Sequence, residues 1–503
     1  MALGTRRAEA PLPAAALYPG DAAGAGAGLK ANTLTLWDTT VIAVTSTAPA
    51  YSLAATMALI AGAVGLASPA AILVSFVPVA GIAVAYAYFN KANPNCGASY
   101  AWLTQSMGPW LGWLTGWVQL AAFVFFLISA PTLAGLNTLQ FLHSLGWIGG
   151  ATAGNVWATA VCGIAWLLIV TAMVIYGTQL AARFQAIMLA IEYGVLVVFS
   201  ALALGKVAAL HPTGTTAFSW RWLNPLSIQG VGGLAAGVVL AVFFFWGWDT
   251  AANVNEETQD ARLNPGRAAI IGMFLLLFIF LLASSAVQAL LPQKTIVSQG
   301  GNALLYFADA LVPAPWSYLM LLAILSSTVA TLQTTLLPAT RLTLAMARDR
   351  VWPRAFGVIH PRYQTPVRGT LILAAVAALG LLLTTASPSV NATLGSLVSN
   401  IGVLVSFYYG ITGIACAWYF RRVLTRDAVT LVFAGILPLC SGLFLFWVGY
   451  QVIVQGQQAS GWGYVLPVLL SAVLGLPLVV IAWLANKTYF ACRPGAFSDD
   501  AAR

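Results

Sequence analysis

The sequence predicts an all-α, polytopic membrane protein with twelve transmembrane helices, arranged as a five-plus-five inverted repeat in which helices 1 and 6 are discontinuous. Of its 503 residues, 60% are hydrophobic and only 7% are charged, whereas soluble proteins carry about 25% charged residues. Runs of about 20 apolar residues, long enough to cross a hydrocarbon core of roughly 30 Å, recur along the chain. Two of these runs, five spans apart, contain residues that interrupt helices.

The apolar runs divide the chain into segments, and each span must be helical because lipid offers no partner to an unpaired backbone group. Residues 1–28 are rich in Ala, Gly and Pro and lack the compact apolar core of a signal peptide, so they predict a disordered cytoplasmic tail. Spans 1–10 form an inverted-repeat core over 29–425, spans 11 and 12 are accessory (426–488), and 489–503 form a second cytoplasmic tail. The predicted spans are 36–64, 69–89, 110–136, 155–176, 180–205, 230–258, 268–291, 315–346, 367–385, 394–420, 428–453 and 462–486.

The distribution of basic residues predicts the orientation in the membrane. Twelve spans put both termini on one side, and with that side taken as cytoplasmic only Lys206, Arg221 and Lys294 of the 22 basic residues lie outside. Such an excess of Lys and Arg in cytoplasmic loops is the usual bias of a multi-pass protein of the cell membrane. The net charge of +9 therefore reflects the orientation of the chain and the contact of its basic residues with the lipid bilayer. No basic stripe with interleaved aromatic residues predicts nucleic-acid binding.

The first span contains a hydroxyl-rich stretch that ends in a proline. Because proline lacks an N–H and favours the first position of a helix, we expect a half-helix to end near Thr45 and a second to begin near Pro49. The free amides at such a helix start, together with the helix dipole, form a site for an anion. A proline kink whose hydroxyls bond back to their own helix is the alternative. The candidate substrate-binding residues in this stretch are Thr45, Ser46, Thr47, Ala48, Pro49 and Ala50.

The sixth span contains an aromatic cluster around a glycine, followed directly by an acid at about the middle of the membrane. An ionisable side chain at that depth is costly and by default marks function. Aromatic rings beside it can form the wall and gate of a site for a cationic group, and Gly247 permits backbone that a larger residue resists. A glycine-packed helix with lipid-facing aromatic residues is the alternative. The candidate residues are Phe243, Phe244, Phe245, Trp246, Gly247 and Asp249.

Discontinuous helices in corresponding positions of two halves are typical of inverted-repeat transporters, whose site lies between the two breaks. Three segments then carry a family resemblance: N-P-N-C-G-A-S-Y-A-W-L-T-Q-S-M-G-P-W-L-G-W-L-T-G-W at 93–117, F-F-F-W-G-W-D-T-A-A-N-V-N-E-E-T-Q-D in the sixth span, and M-A-R-D-R-V-W-P-R-A-F-G-V-I-H-P-R-Y-Q-T-P at 346–366. In this order the chain resembles the amino acid–polyamine–organocation (APC) superfamily of permeases, from about Leu34 to about Arg426. The resemblance implies that unwound parts of spans 1 and 6 hold the substrate, with Phe243 at the gate position and Asp249 at the family's acidic position.

The chain departs from that family at two places. The first break, which is usually rich in glycine, has none in Ser46–Ala50, so a substrate carboxylate held by backbone amides is less expected here. In the fifth span, Glu192 stands where many members carry a lysine that is thought to replace a coupling sodium ion. A buried carboxylate at this position can hold a proton or attract a cationic substrate. Glu192 and Asp249 are the candidate residues for proton coupling. A glutamate that bonds to a neighbouring helix only for packing is the alternative.

The sequence thus favours a secondary active transporter, a permease for amino acids or related amines that is proton-coupled or exchanging. The alternatives are a polyamine or organic-cation transporter of the same fold and a transporter-like sensor of a solute. No P-loop pattern is present, and no nucleophile–base pair or metal-ligand cluster predicts an enzyme. The five scattered cysteines predict neither disulfides nor a metal site. We expect no cofactor and no catalytic residue.

In span 8, Ser326, Ser327 and Thr328 either face the site or bond back to their own helix.

Overall fold

Helices joined by short loops make up the residues that the computed structural model describes, which are 28–228, 230–385 and 390–495. No strand occurs within these ranges, and a single isolated bridge pairs Leu34 with Thr258. The predicted tails lie largely outside them, at 1–27 and 496–503. The start of the second tail is packed, because Tyr489 and Phe490 are buried and the Gly495 amide donates to the Gln105 carbonyl at 2.8 Å.

Twenty α-helices follow one another within the described part of the chain, with short 3₁₀ turns and one π-helical turn between them. They are α1 (Leu36–Ser46), α2 (Pro49–Val64), α3 (Ser68–Ala92), α4 (Ser99–Ser106), α5 (Pro109–Ser144), α6 (Gly150–Ala153), α7 (Val156–Tyr176), α8 (Thr178–Leu210), α9 (Gly230–Val242), α10 (Thr250–Asn253), α11 (Asn264–Leu290), α12 (Gln293–Gln299), α13 (Ala303–Leu311), α14 (Tyr318–Arg348), α15 (Val367–Thr385), α16 (Val390–Phe420), α17 (Ala428–Thr430), α18 (Leu437–Ser460), α19 (Trp462–Ala485) and α20 (Lys487–Phe490).

Eleven helical stretches within the described residues are long and apolar enough to cross a membrane. The first, Leu36–Ala92, has 57 residues and contains two predicted spans, which meet at a turn where Gly65 has φ +60°. The other ten each coincide with one predicted span. These features confirm the all-α, polytopic membrane architecture. The count of twelve crossings, the inverted repeat and the division into core and accessory spans stay predictions.

The most buried spanning helix is α14, which packs against α1, α5 and α8. It is rich in serine and threonine, and buried hydroxyls need partners because an unpaired polar group in an apolar interior is costly. Ser326 and Thr328 donate to carbonyls of their own helix, the Ala323 and Ile324 oxygens. Ser327 instead bonds outside its helix, to Glu192 Oε1. Back-bonding, one of the two predicted alternatives, thus applies to Ser326 and Thr328.

Two ion pairs join the end of α14 to the turn that follows the sixth span, on the predicted cytoplasmic side. Glu257 and Arg341 form a bidentate pair, with both N–O distances 3.1 Å, and both side chains are buried. Glu256 and Arg348 lie 2.9 Å apart and are partly exposed. Burial raises the pKa of the Glu256 carboxyl, but the Arg348 guanidinium and the Cys96 amide lower it by more, so that its pKa lies below the ordinary value.

Candidate functional site

The first span is broken close to the predicted position. Helix α1 ends at Ser46 and α2 begins at Pro49. Between them, Ala48 adopts φ +47° and ψ +64°, the left-handed conformation that an alanine rarely takes. The break therefore forms without a glycine, and Ala48 carries the backbone strain of its left-handed conformation.

The three hydroxyls of this break do not cap the second half-helix. Thr45 donates to the Val41 carbonyl, Ser46 to the Ile42 carbonyl and Thr47 to the Val44 carbonyl, all within α1. This is the back-bonding predicted as the alternative, although it occurs in a helix that is broken. All three hydroxyl protons are thus used within the first half-helix, and the next residue, Ala48, has no polar side chain.

The amides at the start of α2 are bonded by side chains from two other helices. The Ala50 N–H donates to Glu192 Oε1 of α8 at 2.6 Å, and the Tyr51 N–H donates to Ser327 Oγ of α14 at 3.3 Å. The Ser327 hydroxyl in turn donates to the same Glu192 oxygen at 2.7 Å. Glu192 therefore sits directly at the first break, and its side chain is fully buried.

The sixth span is also broken. Helix α9 ends at Val242, a 3₁₀ turn covers Phe243–Phe245, Trp246 is extended, and Gly247 has φ +117° before α10 starts at Thr250. A positive φ of this size is strained for any residue with a Cβ atom. Both discontinuities expected from the sequence are thus present, at 47–48 and 246–249.

The two breaks touch each other. A Cβ atom built on Gly247 would lie 2.4 Å from the Ser46 carbonyl oxygen and 2.7 Å from its carbon. Backbone meets backbone at this point, which requires glycine for space as well as for conformation. Pro49 and Gly247 are both buried in the protein, so neither faces lipid.

Asp249 is the last residue of the second break and is buried among hydroxyl and amide groups. Its Oδ1 accepts from the Tyr409 hydroxyl at 2.8 Å, and its Oδ2 accepts from the Tyr408 hydroxyl at 3.3 Å and from Gln119 Nε2 at 3.4 Å. The Trp246 indole N–H donates to the Tyr408 hydroxyl at 2.8 Å. Three neutral donors from α5 and α16 thus solvate this carboxylate.

The predicted aromatic residues divide into two groups. Phe244 and Phe245 are fully buried against Phe280 of α11, at centroid distances of 4.6 and 5.5 Å. Their surface is thus used in helix packing. Phe243 is only half-buried, and Trp246 contacts Phe126 edge-on at 5.4 Å. Within the predicted aromatic set, Phe243 is thus the ring that keeps some exposed surface.

The sequence reasoning missed three donors of the Asp249 cluster, which are Gln119, Tyr408 and Tyr409. A signal existed in S-F-Y-Y-G, since two adjacent tyrosines in the middle of a span must find partners for their hydroxyls. Gln119 carried a similar signal, being an amide in an otherwise apolar stretch of α5. Neither signal names the partner, because α5, α10 and α16 meet only in three dimensions.

Comparison with known proteins agrees with this architecture. The family model described as amino acid permease matches residues 34–476. The chain is 26% identical over 324 residues to the methylthioribose transporter of Bacillus subtilis, covering 61% of this chain and 66% of that protein. It is 22% identical over 391 residues to the low-affinity putrescine importer PlaP of Escherichia coli K12, covering 76% and 81%.

A mammalian relative, the Asc-type amino acid transporter 1 of Mus musculus, is 28% identical over 322 residues, covering 62% of this chain and 57% of that protein. The matched part thus spans less than two thirds of the methylthioribose and Asc-type relatives and more than two thirds of the putrescine importer. All three are named as transporters and none as an enzyme. Because the family match covers most of the 503 residues, the chain belongs to the amino acid permease family of the APC superfamily.

Proposed function

We propose that this permease carries a small amine-bearing solute, an amino acid or a related amine, across the cell membrane, coupled to protons or in exchange. The solute binds between the two breaks. The observation that carries this proposal is a pair of buried carboxylates, Glu192 at the first break and Asp249 at the second. Neither has an ion-pair partner within 4 Å among the described residues.

Two unpaired carboxylates in one membrane-embedded core are costly when both are charged. An ionised acid without a charged partner loses its hydration and gains only neutral hydrogen bonds in return. A protonated amino group of the solute pairs with a carboxylate, and a bound proton neutralises one, so either lowers this cost. Both can be released when the solute leaves. The site is therefore suited to a cationic guest or to proton uptake.

The named substrates of the relatives cover different chemistry, and each name applies to its own protein. One relative is named for methylthioribose, one for putrescine and one for amino acids. The substrate of this chain must therefore be argued from its own site. The acids at 192 and 249 favour a solute with an amino group, and a polyamine or organic cation is the second candidate.

Uptake by purified protein in proteoliposomes tests the proposal. Radiolabelled basic amino acids and diamines are added to proteoliposomes with and without a pH gradient in which the outside is more acidic than the lumen. A second series has unlabelled solute trapped in the lumen. Stimulation by the gradient indicates proton coupling, and stimulation only by trapped solute indicates exchange. Binding without flux indicates a sensor and contradicts transport.

Glu192→Gln tests the coupling group. Glutamine keeps an acceptor oxygen for the Ala50 amide but cannot take up a proton, so we expect accumulation driven by the pH gradient to disappear while exchange persists. Lys206→Gln is the matched control, because Lys206 lies near the end of α8 and, among the described residues, donates only to the carbonyls of residues 310 and 311. Unchanged pH-driven accumulation in Glu192→Gln would remove Glu192 from the coupling.

A further inference from the structure

We infer that Glu192 occupies the position that a substrate carboxylate would take, and that the transported solute is therefore an amine without a carboxylate group. The inference rests on the proposed function and narrows its substrate class. It is carried by the hydrogen bonds at the start of α2 and by the environment of the Glu192 side chain.

The amide donors at the start of α2 are all accounted for. Pro49 has no N–H, the Ala50 N–H donates to Glu192, and the Tyr51 N–H donates to Ser327. The Ser52 N–H donates to the Ala48 carbonyl at 2.7 Å. A helix start offers an anion site only through its unbonded N–H groups. At this break no such group is left for a second anion.

Glu192 receives what a bound carboxylate would receive. One of its oxygens accepts a backbone N–H at 2.6 Å and a serine O–H at 2.7 Å, and it lies at the positive end of a 16-residue helix. This carboxylate belongs to a side chain of α8 and is not part of a solute. The protein thus supplies in its own chain the negative group that a zwitterionic solute would bring.

The second oxygen of Glu192 points to the kind of guest that fits. Glu192 Oε2 is buried and has no hydrogen-bond partner among the described residues. A free acceptor oxygen suits an ammonium group, which has three donors and no acceptor. A carboxylate at the same place would meet a like charge at short range in a medium of low dielectric constant, where repulsion is strong. The arrangement therefore selects for amines and against carboxylates.

Matched pairs of solutes that differ only in the carboxylate test the inference on the unmodified protein. Cadaverine is compared with lysine, and putrescine with ornithine, as competitors for uptake of a labelled transported solute in proteoliposomes. We expect each diamine to compete at least about tenfold better than its amino acid, which corresponds to about 1.4 kcal/mol. Equal or better competition by the amino acids would overturn the inference.

Two substitutions of the same residue separate selectivity from coupling. In Glu192→Gln the amide oxygen still accepts from the Ala50 N–H and the Ser327 hydroxyl, so these donors stay closed to carboxylates. The negative charge and the free acceptor oxygen are lost, so the preference for diamines should fall only in part. In Glu192→Ala those donors become free, and the preference should fall by at least about tenfold as carboxylates gain access. Both variants are checked for a monodisperse elution profile before reconstitution.

The outcomes distinguish this inference from the proposed function. Failure of every amine and amino acid in the panel to be taken up contradicts the proposed function itself. Uptake in which amino acids are preferred contradicts only the inference about Glu192. An unaltered preference in a well-folded Glu192→Ala protein would also contradict it, since the freed donors would then have no effect on carboxylates.

Discussion

Arg341 is the one arginine among the largest fully buried side chains of the described chain. Its guanidinium forms both bonds of a bidentate pair with Glu257 and a third bond to Thr340 Oγ1 at 2.9 Å. A buried pair of this kind adds little net stability because both ions lose their hydration. Removal of one partner, however, leaves the other charge buried without compensation.

Arg341→Ala is therefore expected to destabilise the protein by about 3–5 kcal/mol. The measurement is the midpoint of thermal unfolding in detergent micelles, followed by size-exclusion chromatography. Arg348→Ala is the matched control, since its pair with Glu256 is partly exposed and such pairs contribute about 0.2–1 kcal/mol. Equal midpoint shifts for the two variants would contradict the buried character assigned to the Arg341 pair.

At the residue scale, the sequence points to candidate positions where a single side chain is unusual for a membrane span. Asp249 stands out because an acid in the middle of an apolar span is costly, and Glu192 stands out because it occupies the position of the family's lysine. Their partners could not be predicted for a physical reason. Glu192 bonds to the backbone amide of Ala50, and an amide leaves no trace in a sequence. Tyr408 and Tyr409 reach Asp249 only because α16 lies beside the second break in the fold.

At the element scale, the two breaks are where local chemistry overrides the helix that lipid otherwise enforces. Proline at 49 removes a donor, and glycine at 247 permits φ +117°. Both are visible in the sequence, so the breaks could be predicted to within a residue or two. That the Ser46 carbonyl rests against Gly247 could not, because the crossing of two helices depends on tertiary packing.

Gly247→Ala is expected to abolish transport. The added methyl would lie 2.4 Å from the Ser46 carbonyl oxygen, so the two breaks must separate, and the positive φ adds strain of about 1–3 kcal/mol. The readout is the initial rate of solute uptake in proteoliposomes at matched protein density. We expect the rate to fall to the level of protein-free vesicles.

Gly205→Ala serves as the control for a methyl group added to a glycine of a spanning helix. Gly205 lies inside α8 with nothing within 4 Å of a built Cβ atom, and alanine favours a helix by up to about 1 kcal/mol. This variant should transport at the rate of the unmodified protein. Wild-type uptake by Gly247→Ala would show that the contact between the breaks has no role in transport.

At the scale of the whole molecule, the sequence predicted the class of fold because the bilayer leaves few choices. Composition and span length were sufficient for the helical membrane architecture, since each run of about 20 apolar residues has only one way to satisfy its backbone in lipid. The packing order of the spans was not accessible in the same way. Helices of similar apolar composition do not name their neighbours, and small contacts such as Gly135 against the Thr159 carbonyl decide them.

The charge asymmetry makes a prediction about orientation that can be measured directly. Arg221 lies in an exposed loop between α8 and α9, and Arg362 lies in an exposed loop between α14 and α15. With both termini in the cytoplasm, Arg221→Cys should react with a membrane-impermeant maleimide on intact cells, and Arg362→Cys only after lysis. The background is a variant in which the five native cysteines, all free, are replaced and uptake is retained. Nineteen of the 22 basic residues depend on the same assignment, so the reverse labelling pattern would put them on the outer face and contradict the positive-inside orientation as a whole.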